Sequence, residues 1–243
     1  MAPGNTSDHA FIPEFLYHTC LTIDEHHIQT LEDIPRLYIL GSHGTLESAK
    51  QFALEALATL GYEEADFAVY QTRPHDAEEW DHGNGIIVYA KAPAGQEFFV
   101  GIDTKLNIED LPASVSDGSL HLPRGTDHLH FIVQTQIKYN ADRAVSSEIQ
   151  GAYLKRNDAI EAATWCLLGE SSDLKSDYAQ FEIKKNLEPK ADWPFGEDVL
   201  IHAVTQTGEN YLISLVTPRV LIRSLINIER SNGPRLEKLL GFI

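Results

Sequence analysis

Alternating and helically spaced apolar positions follow one another along this chain in a fixed order. Residues 36–41 form a short β-rich run with Leu37, Tyr38 and Ile39, and Ser42, Gly44 and Thr45 then supply turn and N-cap residues. Leu46, Ala49, Ala53, Ala56, Leu57 and Leu60 recur at helical spacing until Gly61 stops the run. Residues 67–73 alternate as a strand, and 85–92 with 97–104 read as a hairpin around Gly95. The series then returns. Asp158 and Glu161 have capping-box spacing ahead of Ala163, Cys166 and Leu167, residues 181–185 alternate, and 199–205 with 210–217 read as a hairpin around Gly208.

The recurrence extends to residue identity. Trp80, Gly83, Ala90, Gly95 and Thr104 match Trp193, Gly196, Ala203, Gly208 and Thr217 at a constant offset of 113, with apolar positions coinciding between them. Upstream, Ile39-Leu40-Gly41 matches Ile149-Gln150-Gly151, and Ala49, Ala53 and Leu57 match Ala159, Ala163 and Leu167, at an offset of 110. A looser block sets residues 17–23 against 131–137. Matches in the same order and spacing predict an internal repeat. The expected fold is α+β, a tandem duplication of a β-β-α-β-β-β unit, each with its helix packed on one face of a largely antiparallel sheet. The expected organisation is a disordered start at 1–11, units at 12–104 and 127–217, a linker at 105–126 rich in Pro, Gly, Ser and Asp, and a C-terminal helix and tail at 218–243.

The period of two divides each hairpin into faces. Ile86, Val88, Ala90, Phe98, Val100 and Ile102, with Val199, Ile201, Ala203, Tyr211, Ile213 and Leu215, are apolar throughout and should meet the helix. The opposite face carries Ile87, Tyr89, Lys91, Phe99, Gly101 and Asp103, with Leu200, His202, Val204, Leu212, Ser214 and Val216. That face is too apolar for open solvent, so it should meet the other unit, a second chain or a ligand. Its candidate binding residues are Tyr89, Phe99, Gly101, His202, Leu212 and Ser214. Gly101 and Ser214 would leave room near its centre, while Tyr89 and His202 offer polar tips.

Charge narrows the partners. The net charge is −17; residues 1–125 hold 20 acids against 6 bases and residues 126–243 hold 16 against 13. This field disfavours nucleic acid and anionic membranes and leaves a protein partner, a small apolar ligand or a second copy of the chain as candidates. No stretch reaches the roughly 18 apolar residues of a membrane span, and no signal peptide is visible. The two cysteines, Cys20 and Cys166, exclude a disulfide framework and suggest reduced thiols and a cytoplasmic location. One segment departs from the acidic trend. Residues 219–243 carry five bases against two acids, and Leu221, Leu225 and Ile228 sit at helical spacing.

Chemical motifs are sparse. His128 and His130 would share a strand face, but no third ligand follows at a useful spacing, so no metal is expected. Asp24-Glu25-His26-His27 reads as a loop. Gly41-Ser42-His43-Gly44 lacks the Lys or third Gly of a phosphate loop, and there is no Gly-x-Ser-x-Gly elbow. His202 could pair with Asp198 or Glu209 as acid and base. Trp80 and Trp193 should plug the ends of small cores above glycine turns. The expectation is a non-enzymatic binding or interaction protein, without cofactor, using a surface shared by both units. The alternatives are a small-metabolite isomerase, cyclase or hydrolase with a pocket between the units, and an acidic inhibitor of a basic protein surface.

Overall fold

Residues 9–24, 35–74, 80–138, 144–168, 177–184 and 193–218 are described by a computed structural model. The expected C-terminal helix and tail beyond residue 218, and His26 and His27, lie outside the described residues. The elements run β1 (Ala10–Phe11), β2 (Phe15–Asp24), β3 (Arg36–His43), α1 (Leu46–Thr59), β4 (Val69–Thr72), β5 (Ile86–Lys91), β6 (Glu97–Leu106) and β7 (Ala113–Ser114). They continue as β8 (His130–Lys138), β9 (Ala144–Tyr153), α2 (Arg156–Ala163), β10 (Tyr178–Ile183), β11 (Val199–Thr205) and β12 (Asn210–Val216). Two five-stranded antiparallel sheets result, ordered β3-β2-β6-β5-β4 and β9-β8-β12-β11-β10. The same element order and strand order in both halves point to a duplicated unit.

The sheets also share their irregularities. In β3, Leu40 is an extra residue between the Thr19–Gly41 and Cys20–Ile39 pairs; in β9, Gln150 is the extra residue between Ile132–Gly151 and Val133–Ile149. The hairpins repeat this, with Ile87 bulged between Ile86 and Val88, and Leu200 between Val199 and Ile201. A bulge reverses the side on which the following residues point. Ile87 therefore packs with Ala53, Ala56 and Leu57 of α1, and Leu200 with Ala159 and Ala163 of α2. Val199 turns to the opposite face, beside Leu212 and Trp193. The simple alternation had placed these three on the wrong side, and Ile86 with them, since its Cδ1 lies over Gly101 on the face away from the helix. Pairing also fixes the loosest match. Cys20 lies opposite Gly101 and Val133 opposite Ser214, so β2 and β8 correspond at 113, one residue off the 17–23 and 131–137 alignment.

Helix α1 begins as its sequence suggests, with the Thr45 hydroxyl accepting from Ser48 N at 3.2 Å. Helix α2 does not use a capping box. It starts at Arg156 after Lys155, which places Asp158 inside the first turn, 3.9 Å from the Lys155 ammonium. The residues expected to form a linker carry structure of their own. β6 extends to Leu106, β7 pairs with β1 across Ala10 and Phe11 of the expected disordered start, and Leu111 and Ala113 are buried. Their apolar side chains have a core to enter, which outweighs the turn-rich composition.

Four apolar clusters form among the described residues. One lies between α1 and its sheet and another between α2 and its sheet. A third joins the two sheets: Leu16, Cys20 and Ile39 of the first pack with Phe131, Val133, Ile149 and Ala152 of the second, sealed by Leu111 and Leu129. The fourth lies under Trp193 and Phe195. Val88 and Ile201 are essentially inaccessible, at 0% and 1% exposure. Val88→Asp and Ile201→Asp should each lower unfolding free energy by at least about 3 kcal/mol, because an unpaired carboxylate enters an apolar interior. Tyr89→Phe, which removes only one hydroxyl, should lose roughly 1 kcal/mol. Urea denaturation followed by circular dichroism measures all three, and comparable losses would contradict this packing.

Candidate functional site

The six predicted binding residues do not converge on one cleft. Tyr89 and Phe99 are cross-strand neighbours with ring centroids 5.3 Å apart, and His202 and Leu212 are the corresponding neighbours in the second unit. Each pair is covered by its own Trp-x-x-Gly loop. In the first unit Trp80 meets His82 edge-on at 4.8 Å, and His82 stacks on Tyr89 at 3.8 Å and 10°. In the second, Trp193 meets Phe195 at 4.9 Å, and Phe195 stacks on His202 at 3.9 Å and 21°. The geometry is kept while the histidine changes partner, from the upper ring to the lower. Gly83 and Gly196 take positive φ, 97° and 102°, which shapes both loops. The alignment at 113 pairs His82 with Phe195, so this layer is written in the sequence, although only the tryptophans stood out there.

Hydrogen bonding fixes the polar tips locally. The Tyr89 hydroxyl donates to Glu97 Oε1 at 2.8 Å, and His202 Nε2 lies 3.1 Å from Asn210 Oδ1, the residue corresponding to Glu97. Burial, then the bond to Glu97, pushes the Tyr89 phenol up to about 12. His202 Nδ1 sits 3.5 Å from Glu182 Oε2, too far for a strong hydrogen bond. Of the two carboxylates drawn as acid–base partners, Glu209 instead lies 3.7 Å from the Lys138 ammonium. Gly101 and Ser214 lie nearer the seam between the sheets, opposite Cys20 and Val133. Gly101 leaves no room, since a Cβ there would come within 2.9 Å of Ile86 Cδ1 and 3.2 Å of Gly85 O.

At the seam, equivalent positions share one cluster: Leu16 with Leu129, Cys20 with Val133, and Ile39 with Ile149. His18 and its counterpart Phe131 touch directly, centroids 5.2 Å apart and planes at 86°. Such self-matching is the signature of an isologous contact. Main-chain donors of the second unit add Ile149 N to Asp103 Oδ2 at 2.9 Å and Leu154 N to Glu109 Oε1 at 3.0 Å. His18 is wholly buried; its Nδ1 lies 2.8 Å from Ser42 Oγ and its Nε2 has no hydrogen-bond partner among the described residues. Burial, then the nearby Lys105 charge, lowers its imidazole from 6.5 to about 4.

Other reactive groups are muted. Burial raises the Cys20 thiol to about 12 and the Cys166 thiol to about 11, so neither is a ready nucleophile. His128 and His130 meet edge-on at 5.0 Å, and His130 Nδ1 bonds the Thr217 hydroxyl at 2.9 Å. Among the described residues, no group of three or more His, Cys, Asp or Glu is placed to hold a metal, and no helix is long and apolar enough to cross a membrane. A hollow of about 20 Å³ lies beside α2, lined by Ile160, Ala163, Thr164, Ile183, Leu200 and Ile201. It is apolar, below the roughly 300–1,000 Å³ of small-molecule sites, and away from the seam.

The surface offers a different feature. At one end of the first sheet, Phe15 and Leu106 pair across β2 and β6, and Ile12, Leu106 and Ile108 are 61%, 58% and 55% exposed. The turn that carries Leu106 and Ile108 is rigidly held. Buried Asn107 donates from Nδ2 to Pro13 O and Leu111 O, each at 2.9 Å, and its Oδ1 accepts from Leu111 N at 2.9 Å. Asn107 N also bonds Glu14 O, and Asp110 takes a φ of 50° to close the turn. Exposed Glu14 and Asp110 flank the apolar residues. The sequence hid this site because Leu106–Ile108 reads there as the start of a linker. No protein-family model matches the chain, and no curated protein or solved structure is detectably similar to it.

The buried imidazole makes an acid-dependence prediction. The unfolded chain takes up a proton near pH 6.5 that the folded chain refuses until about pH 4, so this contribution is whole above 6.5 and lost as pH falls toward 4. The loss amounts to roughly 3 kcal/mol at its fullest. His18→Phe, the residue its counterpart carries, should flatten unfolding free energy across that window. Urea titrations at stepped pH measure the slope, and parallel curves for the two proteins would refute the assignment.

Proposed function

We propose that the chain is a tandem duplication acting as a non-enzymatic interaction protein, whose docking surface is the apolar end of the first sheet. The observation that carries this reading is the turn at Leu106–Ile108, where exposed apolar side chains flank a buried Asn107 holding three hydrogen bonds. Exposed apolar groups on a preorganised turn lose little conformational entropy on binding. Exposed Glu14 and Asp110, on a half of the chain with 20 acids against 6 bases, select a partner that presents apolar side chains among basic ones. Packing of the seam by Leu16, Cys20, Ile39, Phe131, Val133 and Ile149 counts against a substrate cleft between the units. The shared surface expected from the hairpin faces thus gives way to one on a single unit. The reading also joins the expected interaction protein to the acidic-inhibitor alternative.

The test compares wild type with Leu106→Asp/Ile108→Asp. A partner captured from the native source by wild type should be lost by the double variant. The purified pair should weaken steeply with ionic strength, since exposed charges are screened over about 8 Å at physiological salt. Hydrogen exchange should place protection at residues 104–112. Equal binding by both proteins, or protection confined elsewhere, would end this reading.

A further inference from the structure

We propose that Asn84-Gly85, at the end of the first Trp loop, is a self-modifying site that converts to isoaspartate and thereby loosens the loop from Tyr89. The dipeptide sets a carboxamide before a residue with no side chain to obstruct attack by its own amide nitrogen. Gly85 N bonds to Asn84 Cγ, the Cγ–Nδ2 bond breaks, and ammonia leaves with the proton of the attacking amide. Water then opens the cyclic imide. Opening on the Cα-carbonyl side leaves the main chain running through Cγ as isoaspartate, and opening at Cγ leaves ordinary aspartate. Water is the sole co-reactant, and nothing is oxidised or reduced.

The structure leaves both reacting groups unhindered. Asn84 is exposed, and neither its side chain nor the Gly85 N–H is hydrogen-bonded among the described residues. Asp117-Gly118 offers a related reaction in sequence, but the fold locks it. Gly118 N donates to Ser114 O at 3.0 Å, Asp117 Oδ1 accepts from Ser119 N at 2.9 Å, and Asp117 O accepts from Ser48 Oγ at 2.6 Å. The side chains of Asn107 and Asn210 are likewise engaged. Asn232-Gly233 lies outside the described residues.

The consequence falls on the loop. An isoaspartate lengthens the main chain by an atom and adds a carboxylate. Gly85 O is held on β6, accepting from Ile102 N at 2.9 Å, so the added length passes to the loop side. There His82 stacks on Tyr89, and its Nε2 lies 2.7 Å from Gln71 Oε1. This loop lacks a tether that its counterpart has. Trp193 Nε1 donates to Val199 O at 3.0 Å, whereas Trp80 Nε1 is buried with no hydrogen-bond partner among the described residues. The second loop carries Glu197-Asp198 in place of Asn84-Gly85, and Asp198 O accepts from Leu215 N as Gly85 O does from Ile102 N. It is a built-in control, alike in its attachment and without the reactive pair.

The full chain, folded or unfolded in urea, is aged in mildly alkaline buffer, and isoaspartate at each site is quantified by chromatography of its peptides. The folded-to-unfolded rate ratio removes the intrinsic difference between Asn and Asp. Folding should slow the reaction at 117 by at least about tenfold, since its hydrogen bonds must open first, and at 84 by less than about threefold. In the converted fraction, separated by its added charge, amide exchange across residues 80–86 should rise about tenfold while that across 193–199 stays unchanged. Aged Asn84→Gln and fresh Asn84→Asp should both keep the slow exchange. Protection of Asn84 as strong as that of Asp117 would overturn the site. Conversion without faster exchange at 80–86, or an equal rise in fresh Asn84→Asp, would overturn the loosening by the lengthened main chain.

Discussion

The two sheets depend on each other because each is apolar on both faces. A helix covers one face. A Trp-x-x-Gly loop covers the β5 or β11 side of the other, with its tryptophan and stacked ring lying over Tyr89 or His202. What remains is the strip on β2 and β3, or on β8 and β9, which among the described residues is covered by the opposite unit together with Leu111, Leu120 and Leu122. A unit alone would leave Leu16, Cys20 and Ile39, or Phe131, Val133 and Ile149, in water, a contiguous patch of the kind that soluble surfaces rarely keep. The packed seam therefore keeps the apolar strip of each sheet out of water.

The paired bulges serve that arrangement. An extra residue in β5 and in β11 turns Ile86 and Val199 away from the helix while Ile87 and Leu200 turn toward it. Each strand thus supplies the helical core along its length and a residue to the opposite face at its start. Gly101 is required by the same geometry, since Ile86 and the Gly85 carbonyl occupy the space its side chain would need. Bulges bend and twist the strand that carries them, so their repetition keeps the two sheets similar in shape as well as in connection.

Much of this was legible in the sequence, and the failures share a cause. The order of elements along the chain, the hairpins around Gly95 and Gly208, and the correspondence of Trp80 with Trp193 follow from periodicity and turn chemistry, which are local. The sides taken by Ile87, Val199 and Leu200 were not legible, because one bulged residue leaves no mark in an alternating apolar run. Of the six candidate residues, Tyr89, Gly101, His202 and Leu212 are buried, and Phe99 and Ser214 are half-buried. Their cover was misjudged, since nothing local tells whether a Trp loop or a neighbouring sheet lies over an apolar face. Asn107 was passed over because a polar residue in a Pro- and Gly-rich stretch reads as a turn. Its burial follows only from β6 and β2 running side by side to Leu106 and Phe15.

His18 against Phe131 shows what linking the two units in one chain makes possible. In a symmetric dimer a position that touches its own counterpart must be the same residue twice, so a histidine there would face a histidine. Within one chain the two positions can diverge, and here one became an imidazole held by Ser42 while the other became a phenyl ring. The same freedom reaches the two Trp loops, where His82 stacked on Tyr89 in one unit becomes Phe195 stacked on His202 in the other, so the polar ring changes layer without disturbing the stack that holds it.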